Sequence, residues 1–124
     1  RSYLPRKWRY VGADIARGVG VDVVLDDPYV LPFADGEFDL VVSTSAFEHV
    51  DMFWILFLEM LRVMRKDGFV YINAPSNLLD HSDLVSPDSW RFFRDAGSSL
   101  VKWGLRNGYS NLRVLQSFVS EPVE

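Results

Sequence analysis

Cysteine is absent from this sequence. That excludes a disulfide framework and thiolate chemistry. Histidine is scarce as well: the two present, His49 and His81, lack the partner spacing of a zinc site, so no metal is expected. Long apolar runs are also missing. The longest, Met52 to Leu58, lies between Asp51 and Glu59 and falls far short of the about 20 residues that cross a bilayer. No signal-peptide pattern precedes it, so we expect no membrane partner and a cytoplasmic, reducing setting. Nor is there an excess of positive charge. Thirteen basic residues against seventeen acidic ones leave a formal net charge of −4, which argues against a nucleic-acid backbone as partner. The basic cluster Arg6, Lys7 and Arg9 reads as a solvated face. The chain opens on Arg1 rather than Met, and a processed or truncated product is expected.

What the chain does contain is apolar mass. Nearly half of its 124 residues are apolar, with nine Phe, five Tyr and four Trp, enough to build the core of one domain over residues 1–124. Trp8 to Ile15 (WRYVGADI) runs apolar into Asp14, Val21 to Leu25 (VDVVL) is β-branched, and Phe38 to Ser43 (FDLVVS) follows the turn signal Asp35-Gly36. These are three expected strands. Asp51 is placed to cap a helix running to about Arg65, with Arg65 and Lys66 in the last turn and Gly68 just past it. Phe69 to Asn73 reads as a fourth strand. After a polar stretch containing Pro75 and Pro87, the pattern predicts a shorter helix around Ala96 to Asn107, stopped by Gly108, and a last strand from Arg113 to Phe118.

Strands alternating with helices indicate an α/β fold, and Val- and Ile-rich strands a mostly parallel sheet with flanking helices, buried on both faces. Ligands of such sheets sit beyond the carboxyl ends of the strands. That rule selects Asp14, then Asp26 and Asp27, then Ser43 to His49, then Asn73 to Asn77, and all four groups are expected to border one crevice. A carboxylate in Asp14's place can accept from both vicinal hydroxyls of a ribose, as in Rossmann-like folds. Asp27, one strand later, can accept from an exocyclic amine such as that of adenine. Position alone leaves these aspartates equally open to service as turn or cap residues.

Three blocks taken together resemble, in order and spacing, the class I S-adenosylmethionine-dependent methyltransferases, specifically the type 11 methyltransferase domains. They are YVGADI (Tyr10–Ile15), VVLDDPYVLPFADGEFDLVVSTSAFEHV (Val23–Val50) and FLEMLRVMRKDGFVYINAP (Phe57–Pro75). The resemblance implies a Rossmann-like fold with S-adenosylmethionine as cofactor. By position, Asp14 matches the acidic residue that holds the cofactor ribose, and Asp27 the one facing the adenine amine, with Asp26 and Pro28 beside it. Ser43, Thr44 and Ser45, on towards His49, match the segment near the methionine part and the substrate. The later APSNLLDHSDLVSPDSWRFF (Ala74–Phe93) resembles a subgroup associated with glycan or cell-surface gene clusters, which implies a small-molecule or glycan acceptor.

The departures from the family are equally specific. Its glycine-rich loop should precede Asp14 by about 20 residues, on the dinucleotide-fold analogy, yet only thirteen residues precede Asp14. Gly18 to Gly20 is no substitute, because it follows the ribose acid and leads into a strand. A truncated class I methyltransferase fold, lacking the first strand and that loop, is therefore expected. Pro28 occupies a position where the family offers a backbone N–H to adenine, and proline has none.

Methyl transfer is an in-line displacement at a sulfonium, so the protein needs to align donor and acceptor and to accept a proton. His49 is the candidate base, because imidazole titrates in the neutral range; the other reading is a histidine packed at the start of the Asp51 helix. Glu48 reads either as a second crevice carboxylate or as helix N-terminal charge, the latter favoured. Asn73, His81, Trp90 and Arg91 are candidate acceptor-binding residues, with a loop anchored by Trp90 and Phe92 as the alternative. Apolar residues wrap most of the way around the Asp51 helix, beyond a single stripe, and a homodimer using that helix is expected. Two functions stay open: a methyltransferase domain, or a catalytically empty methyltransferase-like module that serves as an interaction partner.

Overall fold

The β-branched runs form strands in two parallel pairs. The structure, a computed structural model, describes residues 5–77 and 87–120. In chain order its elements are β1 (Ala13–Asp14), β2 (Val23–Val24), β3 (Phe38–Thr44), a 3-10 turn (Phe47–His49), α1 (Phe53–Val63), β4 (Met64–Asn73) and α2 (Ala96–Arg106). β1 pairs with β2, and Asp14 stands opposite Val24. β3 pairs with β4 from Leu40↔Phe69 to Thr44↔Asn73. This is the α/β, Rossmann-like arrangement of parallel strands and flanking helices that the alternating pattern implies.

α1 is built from Leu, Met, Phe, Glu and Arg without Gly or Pro, a composition that favours helix. Phe57, Met60 and Leu61, spaced three and four apart, turn into the core with Phe47 and Leu100. Val41, Val70 and Ile72 pack on this cluster from the sheet, and Trp103, Tyr109 and Leu112 from the α2 side. Each buried Leu, Phe or Met contributes about 1.5–3 kcal/mol. α2 approaches α1 closely at Gly104, where an added Cβ would lie 2.6 Å from Leu112 Cδ1 and 2.9 Å from Leu61 Cδ1.

Four expectations are corrected. The first helix does not reach Arg65: it ends at Val63, and Met64 is already extended. Residues between Met64 and Phe69 form an irregularity opposite Phe38 and Leu40. Gly68 is required there by crowding, not as a helix stop, since a Cβ would lie 2.9 Å from Asp39 O and 3.0 Å from Arg65 O. Second, Asp51 does not cap α1; Met52 holds the cap position with no side-chain bond, and the Asp51 carboxylate accepts from Ser89 Oγ instead. Third, among the described residues β3–β4 is covered on one face rather than both, because α1 and α2 pack around the same core cluster. Val42, Phe69 and Tyr71 are exposed on the other face. No residue of α1 from Phe53 to Val63 is exposed, and Trp54, Ile55 and Leu58 are half-buried. Fourth, Arg113–Phe118 is not a strand. It lies along the start of α2, where Ser117 Oγ donates to Arg94 O at 2.5 Å, and joins neither strand pair.

The polar side of α1 holds a loop. Arg62 donates from Nε to Glu59 Oε1 (2.7 Å) and from Nη2 to Glu59 Oε2 (2.8 Å). It also donates to Leu31 O, Phe33 O and Asp35 Oδ1 at 2.7–2.9 Å. Glu59 Oε2 accepts in turn from the Leu31 N–H at 2.8 Å. The hydrogen bond from Arg62 holds the Glu59 carboxyl below its usual 4.5, outweighing the opposing effect of burial. The Arg62 guanidinium is correspondingly raised, first by Glu59 and then by Asp35. A carboxyl whose folded-state pKa is depressed stabilises the fold above its unfolded value, and that contribution is lost as pH falls through the folded value. Glu59→Gln is therefore expected to lower the unfolding free energy at pH 7 by about 1.5–3 kcal/mol. Urea unfolding should show the gap to wild type narrowing steadily below pH 4.5; a gap independent of pH would exclude a charged role for Glu59.

Candidate functional site

At the carboxyl end of β1, Asp14 is exposed and its Oδ1 accepts the Ala16 N–H at 3.0 Å. Beyond β2, Asp27 is exposed and its Oδ1 accepts the Tyr29 N–H at 2.8 Å. Both carboxylates thus close local turns and keep their second oxygen outside those turns, which reconciles the turn reading with the ligand reading. Asp26 is exposed and Pro28 half-buried beside them. A further aspartate holds this pair of strands together: Asp22 Oδ2 accepts the Gly12 N–H at 2.9 Å, and the Asp22 and Val23 N–H groups both donate to Gly12 O. No sequence cue marks Asp22, because an aspartate inside an apolar run reads as an ordinary outward-facing residue.

At the carboxyl end of β3 and β4, Thr44 stands opposite Asn73, and the Ser45 N–H donates to Asn73 O at 2.9 Å. Thr44, Ser45 and Asn73 are exposed, while Ser43 is half-buried. Ser45 has φ 49°, a left-handed residue that turns the chain sharply into the 3-10 segment. Next come Glu48 and His49. Glu48 is not a surface helix-end charge: its side chain is 2% exposed, and its Oε2 is buried without a hydrogen-bond partner. His49 Nδ1 lies 2.5 Å from Pro87 O, and its Nε2 lies 3.7 Å from Glu48 Oε1.

The segment from Pro87 to Phe92 is fastened across this edge by backbone bonds. Ser89 and Trp90 N–H groups donate to Glu48 O, and Phe92 N–H donates to Pro75 O. Trp90 Nε1 donates to Asp51 O at 3.1 Å. Arg91 makes a two-pronged bond to Asp88, at 2.5 and 2.6 Å. Phe92 packs into Phe53 at 4.9 Å and against Phe47. Trp90 and Arg91 are therefore held beside His49. The two ends of the site are joined by Tyr29, whose hydroxyl accepts the Met52 N–H at 3.2 Å. Nothing in the sequence singles out Tyr29, a half-buried tyrosine after a proline with no distinctive spacing. His81 lies outside the described residues.

A family profile described as Methyltransferase domain matches residues 6–72, more than half of the chain. The chain belongs to the type 11 methyltransferase domain family. No curated protein and no solved structure gives a significant match. The matched residues run from before β1 to the end of β4, so they include the Asp14 and Asp27 ends and the His49 turn. Enzymes of this methyltransferase class use S-adenosylmethionine. Among the described residues no group of three His, Cys, Asp or Glu is arranged to hold a metal ion, and no helix is long and apolar enough to cross a membrane.

Gly12 governs where the methyltransferase domain carries Asp14. A Cβ at this buried glycine would lie 1.9 Å from Gly20 O, a backbone atom that cannot give way locally. Gly12→Ala is expected to separate β1 from β2. The Val23 and Leu25 amides, which donate to Gly12 O and Asp14 O, should lose protection from hydrogen exchange while the β3–β4 amides keep theirs. Unchanged protection of Val23 and Leu25 would contradict this.

Proposed function

We propose that this domain transfers a methyl group from S-adenosylmethionine to a small-molecule or glycan acceptor. The observation that carries the reading is the pair of exposed carboxylates, Asp14 and Asp27, each beyond the end of a parallel strand and each with an oxygen outside its own turn, in a chain of this family. Ribose hydroxyls and an adenine amine are the donors that suit these two acceptors, so the residues fit the cofactor. Pro28 offers no N–H to the adenine ring. Recognition there rests on Asp27 and packing, with Asp26, Ser43, Thr44 and Ser45 completing the cofactor side.

Bound S-adenosylmethionine supplies an electrophilic methyl group on a cationic sulfonium. The chain's own part is to align the acceptor and take up its proton. His49 serves as the base in this reading. The Pro87 carbonyl can only accept, so Nδ1 carries the hydrogen of the neutral ring and Nε2 is the nitrogen that receives the acceptor's proton. Asn73, Trp90 and Arg91 border the acceptor in this reading. A cytoplasmic setting and a homodimer belong to the same proposal.

Calorimetry with S-adenosylhomocysteine tests the cofactor side. Wild type should bind and Asp14→Ala should lose most of the affinity, because the ribose hydroxyls lose their acceptor. Equal heats from both proteins would remove Asp14 from the site, and no heat from wild type would favour the catalytically empty module. With an acceptor in hand, His49→Ala should lower kcat by about 10²- to 10⁴-fold and leave cofactor affinity intact; unchanged turnover would leave His49 a packing role.

A further inference from the structure

Beside the His49 turn, the Trp90 segment and the first turns of α2 enclose a cleft of about 400 Å3 that the cofactor reading leaves unused. Its size lies within the about 300–1,000 Å3 of small-molecule sites. Phe53, Trp90, Phe92, Phe93, Leu100 and Trp103 wall it. Phe53 stands edge-on to Trp90 (5.2 Å, 77°) and to Phe92 (4.9 Å, 84°), so these rings hold one another in place before any ligand arrives. Phe93, 69% exposed, stands at the rim. Backbone bonds from Trp90 and Phe92 to Glu48 O and Pro75 O attach the cleft to the same sheet edge as His49.

The polar groups around it decide what it can hold. Both indole N–H groups are spent on backbone, Trp90 on Asp51 O and Trp103 on Trp54 O. Arg91 is committed to Asp88 and to Trp90 O. Ser99 Oγ reaches Asp95 O at 3.4 Å, and the Asp95 carboxylate faces Arg94 at 3.8 Å. Each charge on the lining is matched by a protein partner, which suits an uncharged occupant. A phosphate or a bare sugar would surrender water bonds that this lining does not replace, at about 1–3 kcal/mol per unpaired group. A flat apolar ring gains about 25 cal/mol for each Å2 it buries and meets aromatic edges in their favoured geometry.

We propose that this cleft binds a neutral apolar ring, aryl or fused-ring in class, carried by the methyl acceptor. The word acceptor rests on the methyltransferase reading, whereas ring binding rests on the cleft alone. The test is a 1H–15N NMR titration of the protein with 2-naphthol and, separately, with methyl glucoside. The indole signals of Trp90 and Trp103 should move saturably with 2-naphthol, the Trp8 signal should stay, and methyl glucoside should move none. Ser99→Phe, which fills the cleft from an exposed helix position, should weaken 2-naphthol binding by at least about tenfold. Phe93→Asp, which puts a charge at the rim, should do the same without touching the core. Calorimetry with S-adenosylhomocysteine on the same samples reads the cofactor site independently, so either reading can fail without the other. Naphthol that leaves Trp90 and Trp103 unmoved, that binds both variants as it binds wild type, or that is outcompeted by methyl glucoside would overturn the proposal.

Discussion

Arg62 directs five hydrogen bonds from α1 to Glu59, Leu31, Phe33 and Asp35, using the full donor capacity of a guanidinium. Three of the five acceptors, the Leu31 and Phe33 carbonyls and the Asp35 carboxylate, belong to a loop that has no regular structure of its own. The Leu31 N–H to Glu59, the Gly36 N–H to Arg62 O, the Tyr29 hydroxyl and the burial of Leu31 add to that clamp. Asp27 lies immediately before this segment. The position of the Asp27 carboxylate relative to His49 is thus set by a helix whose opposite face is the hydrophobic core. Apolar burial fixes α1, and the charged clamp transfers that rigidity to the loop.

A second fastening serves the other side of the site. The Pro87–Phe92 segment is extended and has no ladder of its own, yet its amides find Glu48 O and Pro75 O, and Phe92 enters the core beside Phe53. Trp90 and Arg91 are thereby anchored: the Trp90 indole donates to Asp51 O and its ring packs on Phe53, while Arg91 is paired with Asp88.

Much of this was legible in the chain. β3, β4 and α2 follow directly from β-branched runs, an apolar period near 3.6 and Gly108, whose φ of 93° suits glycine at a helix end. The turn role that position left open for Asp14 and Asp27 is present, since each carboxylate accepts the N–H two residues on. The end of α1 was not legible. Arg65, Lys66 and Gly68 are the residues a helix end would choose, but Arg65 pairs with Asp39 across the sheet and Gly68 answers a close backbone approach. Tertiary pairing overrode local preference there. The strand expected at Arg113–Phe118 is instead held against the start of α2, where Ser117 bonds to Arg94 O. Glu48, Tyr29 and Asp22 depend on partners at distant positions, which spacing cannot reveal.

β1 and β2 are two residues each, whereas β3 and β4 have seven and ten. The helix between the longer strands carries most of the core, so β3–α1–β4 forms a nucleus that assembles from residues close in sequence. The half bearing Asp14 and Asp27 condenses onto that nucleus afterwards. A ligand bridging these two carboxylates therefore stabilises contacts that are absent at the folding barrier. It should lengthen the lifetime of the folded domain by slowing unfolding, and leave the rate of folding nearly as it was.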